Sequence, residues 1–438
     1  MASSRKFRFS NLAERVGDCL TRHRLAAPAR LCVGLSGGLD SVVLLHLLVQ
    51  LRASHGYLLS AMHIHHGLSV HADAWADAAV AVAESLSVPC RVERVSVDRR
   101  AGGVEAAARA ARYAVFEHVD ADVLCLAHHQ NDQAETVLLN ALRGNGLAGL
   151  AAMPESRPLP GGLPLLRPLL DVPRSVLAEY AEVQGLSWVD DDSNDDQRFT
   201  RNFLRHAILP GLVLRDPGVH ASLARLAGHA AEAEALLGEL AEQDLGVCVL
   251  GGGFDLAEAA RLGVRRSRNA LRHWLSAQGI VADARAFEAF INQLDSPDDA
   301  QPQLRWRGET IRRYRGRLYR VVAAGGGPVA DVVPGEVLAF ENGAGRLVWQ
   351  SAPDGVSRDK AQAGCWQLRP RQGGERLRLR IDGPNRPLKL LYQEAGVPPW
   401  LRETTPLLYC DDALIAVPGI GVAAEFRGEG WLPLWQPA

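Results

Sequence analysis

The stretch Leu31-Cys32-Val33-Gly34-Leu35-Ser36-Gly37-Gly38-Leu39-Asp40-Ser41-Val42-Val43-Leu44-Leu45-His46-Leu47-Leu48 decides the fold. Its first five residues form a short apolar run that reads as a buried strand, and Val42–Leu48 reads as a buried helix. A strand, a glycine-rich turn and a helix start together make an anion site. The first helical turn leaves amide N–H groups unpaired, and the helix dipole favours negative charge there. Gly37 and Gly38 carry no Cβ, so the backbone can take positive φ and a phosphate can approach. Ser36 and Ser41 add hydroxyl donors. Asp40 would repel phosphates unless a divalent cation sits between them. No Lys follows the glycines, so this is not the G-x-x-x-x-G-K-[ST] loop. The plain alternative is a tight strand-to-helix turn with a Ser cap.

The chain has 438 residues, enough for two or three domains, and its 47% apolar content supports packed cores. A net charge of −2 gives no global basic field. Positive charge is almost all Arg, which suits bidentate phosphate contacts but also follows from an Ala-, Gly- and Arg-rich composition. Cys19, Cys32, Cys90, Cys125, Cys248, Cys365 and Cys410 form no C-x-x-C pair, and most lie in or beside apolar runs. That pattern predicts reduced thiols rather than a disulfide framework. With no apolar signal core and no long apolar run, the expectation is a soluble cytoplasmic protein with no membrane partner.

Strands are predicted at 31–35, 58–64, 89–95 and 122–127, with helices at 40–54, 70–86, 104–119 and 131–143. This βαβα rhythm predicts an α/β domain with a Rossmann-like parallel sheet, whose ligands bind at the carboxyl ends of the strands. The chemistry-bearing residues fall at those ends. They are Ser36–Ser41, His63-Ile64-His65-His66-Gly67 and His128-His129-Gln130-Asn131-Asp132. Asp171 reads as the cap of a helix with Pro173 in its first turn, ending at Gly185. Asp190–Asp196 reads as a loop and Arg201–Arg205 as a helix start. Residues 218–245 and 257–294 read as amphipathic helices with a turn at Gly251–Gly253, and 303–322 as short strands broken at Gly308 and Gly316. Residues 323–328 read as a linker, and 332–424 as short strands with one helix near 386–395. The expected division is a catalytic domain at 1–215, a mainly helical substrate-binding domain at 216–323 and a small α+β C-terminal domain at 330–438.

Asp132 and Glu135 are three residues apart, so their carboxylates share one face of a first helical turn. They could simply favour the dipole, or meet Asp40 and hold Mg²⁺ against the phosphates of a ligand. His63 and His128 are assigned to nucleotide or phosphate hydrogen bonding, because no H-E-x-x-H or Cys spacing supports zinc. Arg109 and Arg112 share a face with Glu105. An intrahelical pair is the plain reading, yet either Arg could reach a polyphosphate or RNA backbone. Arg143–Leu150 ends the fourth helix and could be only a cap and loop. Residues 305–320 hold seven Arg, among them Arg313 and Arg315, against Glu309, with Trp306 and Tyr314 interleaved. Residues 369–389 add Arg369 and Arg371. Solvated strand faces look alike, but two such patches outside the ATP domain favour a polyanionic substrate.

Ser36–Ser41 resembles the PP-loop, S-G-G-x-D-S, of the N-type ATP pyrophosphatases. The ordered set of Ser36–Ser41, His63–Ser69, Gly103–Tyr113, His128–Thr136, Arg143–Met153, Arg167–Leu170, Asp192–Asn194, Arg201–Arg205, Leu368–Arg376 and Gly396–Leu407 resembles the tRNA(Ile)-lysidine synthetases across nearly the whole chain. One departure is Asn131, where relatives often have Asp. The resemblance implies adenylation of the C2 oxygen of the wobble cytidine in a CAU-anticodon isoleucine tRNA. Attack by the ε-amine of free L-lysine then displaces AMP. It implies ATP and Mg²⁺ as cofactors. Ser36, Gly37, Gly38, Leu39, Asp40, Ser41, His63, His128 and Arg109 would bind the nucleotide, and Asp40, Asp132 and Glu135 the metal. Asp40, Asp132, Glu135 and Arg112 would act in catalysis, with Arg201, Arg205, Arg313, Arg315, Arg369 and Arg371 on tRNA. A homodimer is left open. Two other readings compete. A tRNA thiolase would want paired cysteines and an amidotransferase synthetase a Cys-His site, and neither is visible. An RNA-binding scaffold without catalysis is disfavoured by the intact Ser36–Ser41, Asp132 and Glu135.

Overall fold

The computed structural model describes residues 2–24, 28–97, 104–189, 200–250, 252–280, 284–294, 303–306, 309–321, 328–340, 345–361 and 364–436. The predicted loop at 190–196, the linker at 323–328 and the breaks at Gly251 and Gly308 therefore lie wholly or mainly outside the described residues. The chain divides into two compact units, Met1–Leu237 and Gly238–Ala438.

The first unit begins with α1 (Ala2–Arg22), followed by β1 (Arg30–Gly34), α2 (Leu39–His55), β2 (Leu58–His65), α3 (Ala72–Ser85), β3 (Cys90–Arg94), α4 (Val104–Phe116), β4 (Val123–Cys125) and α5 (Gln130–Leu142). The short α6 (Leu147–Leu150), the edge pair β5 (Ser156–Pro158) and β6 (Pro164–Leu166), and α7 (Arg174–Gln184) complete its sheet layer. The strand order is β3-β2-β1-β4-β6-β5, parallel except at β5. Strand side chains alternate between faces, and the core records it. Leu31, Val33, Leu59, Ala61, Val123, Cys125 and Leu166 enter one apolar cluster. Cys32, Met62, Ile64, Leu124, Leu126 and Leu165 enter the other. Chain order reverses direction at β1, which lies between β2 and β4. That switch point opens a crevice at the strands' carboxyl ends.

The predicted strands and helices of this layer are present within a few residues of their expected ends. Two differences have physical causes. The N-terminal α1, not predicted, buries Leu12, Val16, Cys19 and Leu20 at helical spacing. Asp171 does not cap α7, whose N-cap is Pro173. Its carboxylate pairs instead with Arg15 at 2.8 Å. Asn131 Oδ1 accepts the α7 amide of Arg174 at 3.1 Å, so position 131 joins α5 to α7. Gly185 ends α7 in the left-handed region, as expected.

A helical run follows through α8 (Thr200–Phe203), a π-helical turn at Leu204–Ile208, α9 (Leu209–Arg215) and α10 (Val219–Cys248). In the second unit β7 (Val249–Leu250), β8 (Gly253–Asp255), α11 (Leu256–Arg261), α12 (Val264–Ala277), α13 (Ala284–Leu294), β9 (Gln303–Trp306), β10 (Glu309–Tyr314) and β11 (Arg317–Val321) follow in order. The expected helices are accompanied by a five-stranded antiparallel sheet, β7-β8-β11-β10-β9. Arg315 and Gly316 both take positive φ at the β10–β11 turn, the twist a tight hairpin needs. Residues 330–436 form small antiparallel sheets with short helices, including Leu388–Glu394 where one helix was predicted. No helix among the described residues is long and apolar enough to cross a membrane.

Candidate active site

The loop after β1 is shaped by its own residues. Gly37 takes φ +88, a conformation that disfavours any Cβ. Gly38 is the N-cap of α2, and no side chain caps the helix. Ser36 Oγ accepts the Gly38 amide at 3.3 Å and lies 3.1 Å from Ser41 Oγ, which donates to Gly38 O at 2.9 Å. The hydroxyls thus brace the loop, and the N-terminus of α2, with its unpaired leading amides, lies at the carboxyl end of β1. Val189 N donates to Gly37 O at 3.0 Å and ties the chain after α7 to the same loop.

Across the switch point, His129 starts α5 with a reciprocal cap. Its Nδ1 accepts the Asp132 amide at 3.4 Å, and Asp132 Oδ2 accepts the His129 amide at 3.0 Å. An accepting Nδ1 leaves the neutral ring's proton on Nε2. That atom lies 3.5 Å from Asp40 Oδ2 and 3.6 Å from Asp132 Oδ2, so the imidazole stands between the two carboxylates. Burial pushes His129 towards its neutral form. Asp40, Asp132 and Glu135 outweigh that and hold it above the usual imidazole range. Asp132 runs the other way: burial pushes it up, but His129, His128 and Arg201 bring it below the usual carboxylate range. Asp40 Oδ1 is buried without a hydrogen-bond partner, with Arg174 Nε 3.8 Å away.

Glu135 is 1% exposed and clasped by two guanidinium groups. Arg201 Nε donates to Oε2 at 2.9 Å, while Arg205 donates Nε to Oε1 at 2.6 Å and Nη2 to Oε2 at 2.9 Å. Both also reach Asp132 Oδ1, at 3.7 and 3.5 Å. Burial pushes Arg205 down, but Glu135 and Asp132 more than restore its charge. The two Arg are four positions apart on one helical run, which lets both meet one carboxylate. Glu135 therefore faces Arg201 and Arg205 rather than Asp40. Among the described residues, Asp40, Asp132 and Glu135 form no single convergent group of ligand atoms. The group that does is Cys19, His23 and Glu155 on α1 and β5's approach.

Of the other predicted residues, His63 Nδ1 lies 2.9 Å from Leu35 O, and burial holds the ring below its usual range. His128 is pushed strongly down by burial, with Asp132 opposing, and its buried Nδ1 has no partner. Arg112 is depressed by burial with an unpartnered Nε, and Arg109 Nη2 reaches Tyr113 Oη at 3.4 Å. In the second unit, Arg313 Nη1 donates to Leu294 O at 2.8 Å and Arg315 Nη2 to Gln393 O at 2.5 Å. Arg369 bonds Asp411 O at 2.6 Å and pairs with Asp412 at 3.3 Å, and Arg371 Nε lies 3.5 Å from Glu375. Sequence reasoning placed Arg201 and Arg205 on tRNA and missed their carboxylate partners. It also left out His129 as a site residue, although its place after a strand was visible, and Arg174, whose contact with Asp40 no local pattern reveals.

The comparisons agree with this geometry. Residues 9–212 match the PP-loop domain, residues 254–319 the TilS substrate binding domain and residues 366–435 the TilS substrate C-terminal domain. The chain is 45% identical to the tRNA(Ile)-lysidine synthase of Chromobacterium violaceum, covering 93% of this chain and 95% of that one. It is 42% identical to that of Alkalilimnicola ehrlichii, with 93% and 94% covered, and 43% identical to that of Pseudomonas aeruginosa, with 93% of each covered. With a phosphate-binding loop at the switch point and relatives of this similarity along almost its full length, the chain belongs to the tRNA(Ile)-lysidine synthase family of PP-loop ligases.

Proposed function

We propose that the chain uses ATP to adenylate the C2 oxygen of the wobble cytidine in a CAU-anticodon isoleucine tRNA, and then joins free L-lysine there through its ε-amine. Lysidine, AMP and pyrophosphate are the products. The observation that carries the reading is the pairing of an uncapped α2 N-terminus behind Ser36–Gly38 with the unpartnered Asp40 Oδ1 in the same crevice. The first-turn amides and serine hydroxyls suit the phosphates of ATP. A buried carboxylate oxygen without a donor suits a cation, so Asp40 would hold Mg²⁺, with Asp132 as its nearest acidic neighbour across His129. When bound, the ion supplies charge neutralisation for departing pyrophosphate.

Lysine must attack as a neutral amine. Asp132 is a weak proton acceptor, because His129, His128 and Arg201 overcome burial to stabilise its ionised form. Glu135 has both oxygens occupied by Arg201 and Arg205. The favoured reading is that desolvation, not a strong base, keeps the amine neutral, while Arg201 and Arg205 swing between Glu135 and tRNA phosphates. The division 1–215, 216–323 and 330–438 would then separate chemistry, substrate binding and tRNA docking. The test is incubation with ATP, lysine and CAU-anticodon isoleucine and methionine tRNAs, followed by nucleoside mass spectrometry. Lysidine is expected in the isoleucine tRNA alone, and its absence would sink the proposal.

A further inference from the structure

Beside the crevice, three guanidinium groups converge on one phenol. Arg109, Arg157 and Arg112 lie 4.9, 5.1 and 5.8 Å from the Tyr113 ring centre. Arg109 Nη2 donates to the Tyr113 hydroxyl at 3.4 Å, and the charges of Arg157 and Arg167 act on the same phenol. Arg167 is 2% exposed, donates Nη1 to Pro154 O at 2.6 Å, and has a buried Nε without a partner. Arg112 Nε is likewise buried and unpartnered, as are His66 Nδ1 and His128 Nδ1. The last two belong with this cluster, for Arg112 acts on His66, and Arg167 and Arg112 both act on His128.

Among the described residues, none of the four Arg forms an ion pair with a carboxylate. Burying cationic charge without a counter-ion is costly, and buried polar atoms are normally bonded. Burial depresses both Arg112 and Arg167, and their cationic neighbours add to it. Conversely, burial pushes Tyr113 up, but the surrounding Arg side chains outweigh it and hold its hydroxyl below the usual phenol range. A local field strong enough to bring down a phenol is a field for an anion. Planar guanidinium forks with free Nε donors match phosphate oxygens.

We propose that Arg109, Arg112, Arg157 and Arg167, gathered around Tyr113, form a binding site for a phosphate group, built from α4, β5 and the residue that follows β6 rather than from the loop after β1. The site deepens the proposed lysidine reaction and rests on that reading for its role. Two sources supply this chemistry there, the RNA backbone and the pyrophosphate leaving ATP. Both can be probed at equilibrium without turnover.

The test uses the full chain carrying Arg109→Gln with Arg157→Gln, titrated separately with CAU-anticodon tRNA over a salt series and with inorganic pyrophosphate. If RNA fills the site, tRNA affinity falls about tenfold, the log–log salt slope flattens by about 0.7–0.9 for each phosphate no longer neutralised, and pyrophosphate binding is unchanged. If pyrophosphate fills it, its affinity falls about tenfold and the tRNA slope stays. Either result supports the site and names its occupant. Arg157→Lys on the Arg109→Gln background keeps one charge and is expected to recover part of the affinity. Tyr113→Phe, which keeps the ring, guards against a folding defect in the double variant. Unchanged binding of both probes would overturn the proposal. So would an effect confined to the KM for lysine. Failure of the unaltered protein to make lysidine would refute the reaction but leave this binding test standing.

Discussion

Replacing Glu135 with Gln asks whether the arginine clasp exists in solution. The change keeps the shape of a side chain that is 1% exposed and removes the charge that Arg201 and Arg205 neutralise. Breaking a fully buried ion pair costs about 3–5 kcal/mol. Here the guanidinium side chains are 24% and 34% exposed, so water recovers part of that cost. Asp132, 3.5 Å from Arg205, takes up part of the charge. The expected local destabilisation is therefore about 2 kcal/mol. Because the chain has two compact units, a single global unfolding midpoint is a poor measure. Hydrogen exchange read on α5 and on Thr200–Ile208 is the suitable assay, with Glu135→Gln, Arg205→Gln and the double variant closing a cycle. A coupling of at least about 1 kcal/mol is expected. Additivity within about 0.3 kcal/mol would refute the clasp. Glu135 would then be a free carboxylate, and its expected place beside Asp40 around a metal would regain its footing.

Asp40→Ala is expected to lower ATP–pyrophosphate chemistry by about 10²–10³-fold while tRNA binding persists. Equal loss of both would mean that Asp40 serves the fold. Gly34→Ala places a Cβ 2.5 Å from Leu126 Cδ2 and 3.2 Å from Phe116 Cζ, and is expected to cost about 1–3 kcal/mol by hydrogen exchange read on β1 and α4. Leu126→Ala on that background should restore part of it, and a neutral Gly34→Ala would reject the tight packing. Burial pushes Glu155 up, but Arg22 and His23 hold it below the usual carboxylate range. A depressed carboxylate contributes stability above its unfolded value that is lost as pH falls through its folded value. Exchange protection of α1 should therefore decline on acidification below about pH 4.5, more shallowly in Glu155→Gln. Identical pH profiles would exclude the Arg22–Glu155 link, seen at 2.8 Å, as what holds α1.

The parallel sheet was legible because its central strands β1, β2 and β4 are buried on both faces and its helices fill the intervals between them. Continuous runs such as Leu31–Leu35 leave little choice of element. The glycine-rich turn from β1 into α2 was legible as a candidate phosphate loop because few chemistries want two glycines, two hydroxyls and an acid at a helix start. Short elements escaped. β5 and β6 have three residues each, both containing proline, and lie at the sheet edge where periodicity carries no signal. Helix α1 escaped because its apolar positions are diluted among Arg, Lys and Ser. The partners of the site residues were illegible for another reason. Arg201 and Arg205 are 66 and 70 residues from Glu135, and only the fold brings them together.

That same pairing decides where cationic charge remains available for a polyanion. Along the sequence, the arginine-rich runs at 305–320 and 369–389 were the natural RNA surface. In the folded chain Arg313 and Arg315 are engaged with main-chain carbonyls, and Arg369 and Arg371 lie against Asp412 and Glu375. Arg201 and Arg205 are balanced by Glu135 and Asp132. The guanidinium groups around Tyr113 have no such balance among the described residues, and two of them are additionally buried with unpartnered Nε atoms. A run of arginine measures charge, while recognition depends on charge left over after the protein has paired its own. By that criterion the guanidinium groups around Tyr113 carry unmet demand for phosphate, and so, within the distal patches, do Arg312 and Arg371, whose Nε atoms are also buried without a hydrogen-bond partner.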